Sequence, residues 1–486
     1  MAGRDPRHGT AAILRWLPVV LVLILLAAAG ASYRFELGPR WLGTGPDPAD
    51  DPAAVAPPVG LALPTPVEPA EVAAALGSAS ASDDRGLDVR RLQRLIRPLL
   101  DDPDLGPRVR AAVTTLDDPT TVYRSGRGPA IPASTLKLLT GTAVLATLGP
   151  EHVFTTTVRS GPGNRIVLVG GGDPLLASEP VEPGDTAAYP ASADMLTLAR
   201  ATAEALRERG TRRVRLAYDD TLFTGPAVSP RWPETYLPGV VTPISSLWVD
   251  QGRSPTGSGR VADPSAAAAE EFARALGRFR IRVLGEPRPR RADPDAETLA
   301  GVESAPLAAI VERMVSLSDN EAAEVLLRHV GLAVRGEGSF TAGVRAARAT
   351  LADLGVPFAG ARWYDGSGLS RENRLTSETL LETLRVAADP DRPELRAVLT
   401  GLPVAGFTGS LAVRFEDAVP RGRGLVRAKT GTLTGVSSLA GLVTDRHGQL
   451  LLFVLMADRV AVTDTLAARD ALDRMAAALA TCRCAA

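Results

Sequence analysis

Three short stretches hold residues whose types and spacing suit covalent chemistry. In "PASTLKLLT", Ser134 and Lys137 are three positions apart at the start of a predicted helix, "STLKLLTGTAVLATLG", that closes at Gly149. That spacing puts both side chains on one helical face, one turn apart. A hydroxyl beside an amine is a nucleophile beside its base, provided the amine can release its proton. The partial positive charge of a helix N-terminus disfavours a second cation and so should lower the lysine pKa. The second stretch is "SLSDNEAAE", where Ser318, Asp319 and Asn320 interrupt a helical pattern that disfavours such residues unless they cap or bind something. The third is "KTGTL" in a predicted strand, "LVRAKTGTL". There Gly431 leaves room beside the backbone, Lys429 supplies positive field, and Thr430 and Thr432 offer hydroxyls to a carboxylate. Such a strand at a sheet edge suits the addition of an extended peptide. Each stretch also has a plain structural reading. Ser134 is then an N-cap, Ser318 opens a capping box with Glu321, and the lysine strand is an ordinary strand before a turn.

Lysine usage bears on the choice. The chain has 54 lysines and arginines together, and only Lys137 and Lys429 are lysines. A guanidinium keeps its proton in a protein, whereas a buried ammonium can lose it. Both lysines fall inside the three stretches.

Taken in order, S-x-x-K, S-D-N and K-T-G are the set found in penicillin-binding proteins and class A β-lactamases. The chain resembles the serine D-alanyl-D-alanine carboxypeptidases and endopeptidases of the penicillin-binding protein 4 type, peptidase family S13. The separation of 184 positions from Ser134 to Ser318 fits this type, as do "GGGDPLL" (170–176), "YDDTLF" (218–223) and "YDGSGLSRENRLT" (364–376). The resemblance spans roughly residues 84–480. It implies an α/β (α+β) fold of the penicillin-binding/β-lactamase-like transpeptidase class, with an antiparallel sheet flanked by helices, a helical subdomain and an inserted α/β domain. It further implies that Ser134 attacks the carbonyl between two D-alanines, that Lys137 is the general base, and that Ser318 relays a proton to the leaving amine. Asn320 and Lys429 would hold the site and its charge. Thr430, Gly431 and Thr432 would bind substrate, with backbone N–H groups of Ser134 and Thr432 as the oxyanion hole. Asp365, Ser367, Leu369 and Arg371 would line the cleft, although Asp-Gly-Ser-Gly is equally a turn signal. Peptidoglycan stem peptides are the implied substrates and β-lactams the covalent inhibitors. No metal or other cofactor is implied.

These residues need elements to hold them. The catalytic domain is expected over 84–155 and 302–486. Its helices include "LDVRRLQRLIRPLLDD" and a continuous "LAAIVERMVSLSDNEAAEVLLRHVG", and near its end two apolar strands, "GLVTD" and "LLLFVLMAD", precede an amphipathic helix reaching about residue 480. Residues 156–301, where short strands such as "RIVLVGG" and "RRVRLAYDD" alternate with helices, read as an inserted domain. Arg4, Arg7 and Arg15 before the apolar run of 16–31 read as a signal peptide or signal anchor over 1–31. At 1.5 Å per residue that run reaches roughly 24 Å, short of a bilayer core. Residues 32–83, with eight prolines between Pro46 and Pro69, read as an extended spacer. The folded body is thus expected outside the cytoplasm, tethered to the membrane if the segment is uncleaved. Cys482 and Cys484 are too few for a disulfide framework.

Net charge is −1, aromatic content is 4%, and there is no long basic run, so nucleic acid is not an expected partner. The nearest alternative is a serine β-lactamase, against which stands the lack of an E-x-x-L-N stretch between the second and third motifs. A non-catalytic, membrane-tethered penicillin-binding sensor or scaffold is the other. Histidines at 8, 152, 329 and 447 lie away from the motifs and give no Ser-His-Asp or zinc pattern.

Overall fold

The computed structural model describes residues 86–116, 120–181, 189–254, 257–415 and 419–484. The N-terminal apolar run and the spacer lie outside these residues. Among the described residues no helix is long and apolar enough to cross a membrane.

Along the chain, α1 (Val89–Leu100) precedes β1 (Val109–Thr115) and β2 (Val122–Ser125), then α2 (Lys137–Leu148). Next come β3 (Thr155–Ser160), β4 (Arg165–Val169), α3 (Met195–Glu208), β5 (Arg213–Asp219), α4 (Pro264–Arg278), β6 (Arg282–Val283), β7 (Arg288–Pro289) and β8 (Thr298–Glu303). Four helices follow: α5 (Leu307–Leu317), α6 (Asn320–Arg335), α7 (Phe340–Asp353) and α8 (Ser377–Ala388), then the one-turn α9 (Ala397–Thr400). The chain closes with β9 (Val426–Leu433), β10 (Val436–Thr444), β11 (Leu450–Ala457) and α10 (Thr465–Thr481).

The first sheet runs β2-β1-β11-β10-β9, antiparallel throughout. Both its faces are covered, which explains the uninterrupted apolar run of β11. Period-2 alternation sends Leu452, Val454 and Met456 into the core shared with α2, α5, α6 and α8. The intervening Leu451, Phe453 and Leu455 enter a second core with α1 and α10. Cys482 and Cys484 are joined as a disulfide and buried in that second core.

The second sheet lies between Thr155 and Glu303, in the order β6-β5-β4-β3-β8, with β7 also paired to β5. β5 is parallel to β4, β6 and β7. Helices α3 and α4 pack their Leu198, Ala199, Phe272 and Leu276 against Val214, Leu216 and Tyr218, so one face of this sheet is a closed apolar core.

Two expectations require correction. The helical run through 307–331 is not continuous: Ser318 takes a left-handed conformation (φ 60°, ψ 39°) that ends α5, and α6 restarts at Asn320. The N-cap is Asp319, not Ser318, its carboxylate accepting from Ala322 N. Ser134 likewise does not cap α2. It sits in a 3₁₀ turn (Ala133–Leu136), and the α-helix begins at Lys137. The break leaves Ser318 between the end of α5 and the Asp319 cap of α6, with Asn320 in the first turn of α6.

Candidate active site

The turn carrying Ser134 is strained and held on three sides. Ala133 has φ 48°, uncommon for a residue with a Cβ and costly enough that its surroundings must enforce it. Ile131 N donates to Asp458 Oδ2 at 2.8 Å, and Asp458 is itself paired with Arg108. Ser438 Oγ donates to Pro132 O at 2.6 Å. Gly431 faces this turn: a Cβ on it would lie 2.1 Å from Ser438 Oγ and 2.6 Å from Pro132 O. The missing side chain in K-T-G therefore seats the Ser134 turn against β9, and the space expected for substrate is filled by protein.

Lys137 is wholly buried. Its Nζ lies 3.0 Å from Ser134 Oγ, 2.8 Å from Asn320 Oδ1 and 2.7 Å from Ser367 O. Two of these three neighbours are carbonyl oxygens, which can only accept. Once the amine is neutral they claim its two hydrogens, and the lone pair is left to face the Ser134 hydroxyl. Burial lowers the Lys137 pKa to about 8, against the opposing pull of the Glu324 and Asp319 carboxylates. The direction matches expectation, but the cause is desolvation.

Lys429 is also wholly buried and donates to Thr430 O at 3.1 Å. Desolvation, with repulsion from Lys137 and Arg414, holds its pKa well below the usual lysine value. Strand alternation places Lys429 and Gly431 on one face of β9 and Thr430 and Thr432 on the other. Thr430 Oγ1 is within 2.8 Å of Ser410 Oγ, a residue no motif flags, and Thr432 is exposed. The outer edge of β9 pairs at Arg427 with Val404, and Ala428 N donates to Pro403 O at 3.0 Å. Among the described residues no backbone hydrogen bond reaches that edge beyond Ala428. Ser318 is half-buried and makes no side-chain hydrogen bond among the described residues.

The 365–371 segment is mostly a buttress. Asp365 is fully buried, and its carboxylate accepts from Trp232 Nε1 (2.8 Å), Ser370 N (2.6 Å), Asn373 Nδ2 (2.7 Å) and Gly368 N (3.1 Å). Both oxygens are thus occupied, so it does not line the cleft as expected. Ser367 contributes its carbonyl to Lys137, while Leu369 packs in an apolar cluster with Trp232, Trp248 and Phe340. Arg371 alone is exposed, its Nη2 donating to Thr434 O at 2.9 Å, just past the end of β9.

Several of the supports lie outside every sequence motif. Glu324, fully buried, accepts from Gly366 N and Ser367 N, both at 2.8 Å, and so fixes the carbonyl that orients Lys137. Burial, with Asp365 nearby, raises its pKa. A signal is present in the sequence: Glu324 is four residues past Asn320, on the same helical face. Trp232 and Gln251 carry no such signal. Gln251 Nε2 donates to Asp319 Oδ2 at 2.6 Å, which ties the 220–262 segment to the Ser-Asp-Asn turn.

Gly368 tests this packing. Its φ is +86°, and a Cβ there would lie 1.9 Å from Ala133 O. Gly368→Ala is expected to displace the Ser134 turn and slow penicillin acylation by about 100-fold, the scale of a 1 Å misplacement. Stopped-flow acylation checks this; a wild-type rate would mean that the segment does not position the turn.

The sequence profile of the D-Ala-D-Ala carboxypeptidase 3 (S13) family matches residues 92–258 and 254–480. The chain is 37% identical over 392 residues to a carboxypeptidase of Mycobacterium tuberculosis, covering 79% of this chain and 82% of that protein. It is 35% identical over 476 residues to the carboxypeptidase DacB of Mycolicibacterium smegmatis, covering 96% and 95%. Among solved structures, penicillin-binding protein 4 of Haemophilus influenzae superposes with a TM-score of 0.65 at 20% identity, covering 79% of this chain and 99% of that one, a likeness of fold.

Proposed function

Since the chain belongs to the S13 family of D-Ala-D-Ala carboxypeptidases, we propose that its reaction runs through Ser134 with Lys137 as base. It is a serine-type D-Ala-D-Ala carboxypeptidase that forms an acyl-enzyme and is acylated by penicillins. The observation that carries the residue assignment is the amine of Lys137, buried and 3.0 Å from Ser134 Oγ, with two carbonyl acceptors fixing its remaining hydrogens. Ser134 Oγ gives its proton to Lys137 Nζ and attacks the peptide carbonyl between the two D-alanines. The oxyanion meets the backbone N–H groups of Ser134 and Thr432, an interaction typically worth about 3–4 kcal/mol. The proton passes to the leaving amine by way of Ser318, and D-alanine departs. Water, activated by the same amine, then hydrolyses the ester and restores Ser134. The open edge of β9 receives the extended peptide, and Thr432 and Arg371 hold its terminal carboxylate, with the Lys429 amine buried on the opposite face of β9.

The substrates are peptidoglycan stem peptides, which lie outside the cytoplasm. The basic and apolar N-terminal sequence is what would export the chain, and would tether it if uncleaved.

The test is intact-mass and peptide mass spectrometry after exposure to penicillin. A single adduct is expected on the peptide containing Ser134, and an adduct elsewhere would contradict the assignment. The rate carries a second check. The base must be neutral, so acylation should rise about tenfold per pH unit below the Lys137 pKa near 8 and level off above it. A rate that is flat or falling between about pH 6 and 8 would exclude Lys137 as the base.

A further inference from the structure

The second sheet has one face closed by α3 and α4 and another that carries five arginines towards one end. Register shows this directly. Arg165 of β4 is the cross-strand partner of Arg215 of β5. Arg213 of β5 is the partner of Arg282 of β6. Arg288 of β7 stands opposite Ala217. Arg213, Arg215 and Ala217 alternate along β5, so all five arginines share the face turned away from the helices. Arg290 follows immediately in the chain. Four of the five are exposed, Arg165 is half-buried, and none of the five, nor Arg290, has a side-chain partner among the described residues. Elsewhere in the same region the pattern is mixed: Arg209 pairs with Glu297, Arg274 with Glu271 and Arg278 with Glu179, whereas Arg207, Arg212 and Arg280 have no ion pair among the described residues.

Like charges directly opposite one another on a sheet are destabilising. Two such pairs in register, none of whose arginines forms an ion pair among the described residues, are a cost that folding alone does not require. β6 and β7 both pair with β5 but leave a gap, flanked by Leu284 N donating to Val214 O at 2.8 Å and Arg290 N donating to Tyr218 O at 2.7 Å. In the gap lies a groove of about 540 Å³ lined by Arg165, Arg215, Arg288 and Arg290, with Glu286 the one acid.

We propose that this arginine-lined groove binds a linear polyanion with closely spaced phosphate groups. Guanidinium is the side chain best matched to phosphate, which it grips through two parallel hydrogen bonds. Neighbouring strands are about 4.8 Å apart and alternate residues about 6.7 Å apart, so the arginines form a lattice for several anions in succession. A single phosphate would leave most of them unpaired. A groove takes a chain along its length, whereas a bilayer surface meets only its rim, which favours a polymer over an anionic membrane surface. The site is separate from the reaction at Ser134; it would hold the protein on an anionic polymer while the peptidase acts.

The experiment uses the full chain and end-labelled long-chain inorganic polyphosphate, read by fluorescence anisotropy. Binding should weaken steeply with added salt as condensed counterions are released. Orthophosphate at equal phosphate concentration should not compete. The variant Arg165→Ser/Arg215→Ser/Arg288→Ser should lose at least about tenfold in affinity, with penicillin acylation unchanged. Its melting temperature should hold or rise as like charges are removed. Arg213→Ser/Arg282→Ser, at the other repulsive pair, should weaken binding in the same direction and keeps the test usable if the triple variant folds poorly. No binding by the wild type, or equal binding by these variants, overturns the proposal. Loss confined to vesicles containing phosphatidylglycerol, with polyphosphate unaffected, overturns the polymer in favour of a membrane.

Discussion

Lys137→Arg is expected to slow acylation by a penicillin at least 10²–10⁴-fold, roughly the contribution of general-base assistance. Charge is conserved in this substitution and the base is lost, because a guanidinium does not release its proton at any pH the protein survives. The structure adds a second effect. Lys137 has no exposure, and its amine is enclosed by Ser134, Asn320 and Ser367. A larger planar group in that space overpacks it, at a cost of about 1–3 kcal/mol in stability. Lys137→Met separates the two effects. Methionine is unbranched and adaptable, so it should keep the fold with little strain while still lacking a base. Both variants should therefore lose acylation to a similar degree, and only the arginine variant should also lose several degrees in melting temperature. The measurements are stopped-flow acylation with a fluorescent penicillin and thermal unfolding of each protein. Acylation near the wild-type rate in Lys137→Arg would end the general-base assignment.

Ser134→Ala is expected to remove covalent penicillin labelling altogether, with the fold intact. Ser134 is half-buried, and its hydroxyl makes one hydrogen bond, to Lys137. Losing a single hydrogen bond of this kind costs about 1 kcal/mol, small beside the stability of a body this size. The loss of chemistry should be total because, among the described residues, no other hydroxyl is held against the amine. Nucleophile and base act as one unit, so the double variant Ser134→Ala/Lys137→Met should be no less active than Ser134→Ala alone. Intact-mass spectrometry reads the result. A persistent adduct in Ser134→Ala would place the nucleophile at another residue.

Much of the site is legible in the amino-acid sequence alone. The order of the three motifs and the confinement of both lysines to them point to Ser134, Lys137, Asn320 and Lys429. Hydrophobic periodicity locates β9, β10, β11 and α10, because local patterns of period 2 and 3.6 report which faces are buried. The departures also have local causes. The residues around Ser318 have helical periodicity on both sides, and periodicity does not register a break of two residues. Asp365 reads as a cleft residue because Asp-Gly-Ser-Gly suits a turn or a binding loop equally, and only its four N–H donors distinguish the two.

The sequence by itself determined the chemistry on offer: a hydroxyl and an amine three residues apart, a second amine in a strand, and the elements that carry them. What it could not determine was where those groups sit relative to residues far along the chain. Lys137 is suited to the role of base proposed for it because the chain around it excludes water and because Asn320 and Ser367, 183 and 230 residues away, supply its two acceptors. Glu324, Trp232 and Gln251 matter only through contacts of this kind. The arginine face follows the same logic: no long run of basic residues exists in the chain, and the short stretches 212–215 and 288–291 join Arg165 and Arg282 only when β4, β5, β6 and β7 come into register. The physical reason is common to all of these. Side-chain type and local spacing are properties of a few neighbouring residues, whereas burial, pKa and charge density depend on every group that packing brings within a few ångströms, whatever its distance along the chain.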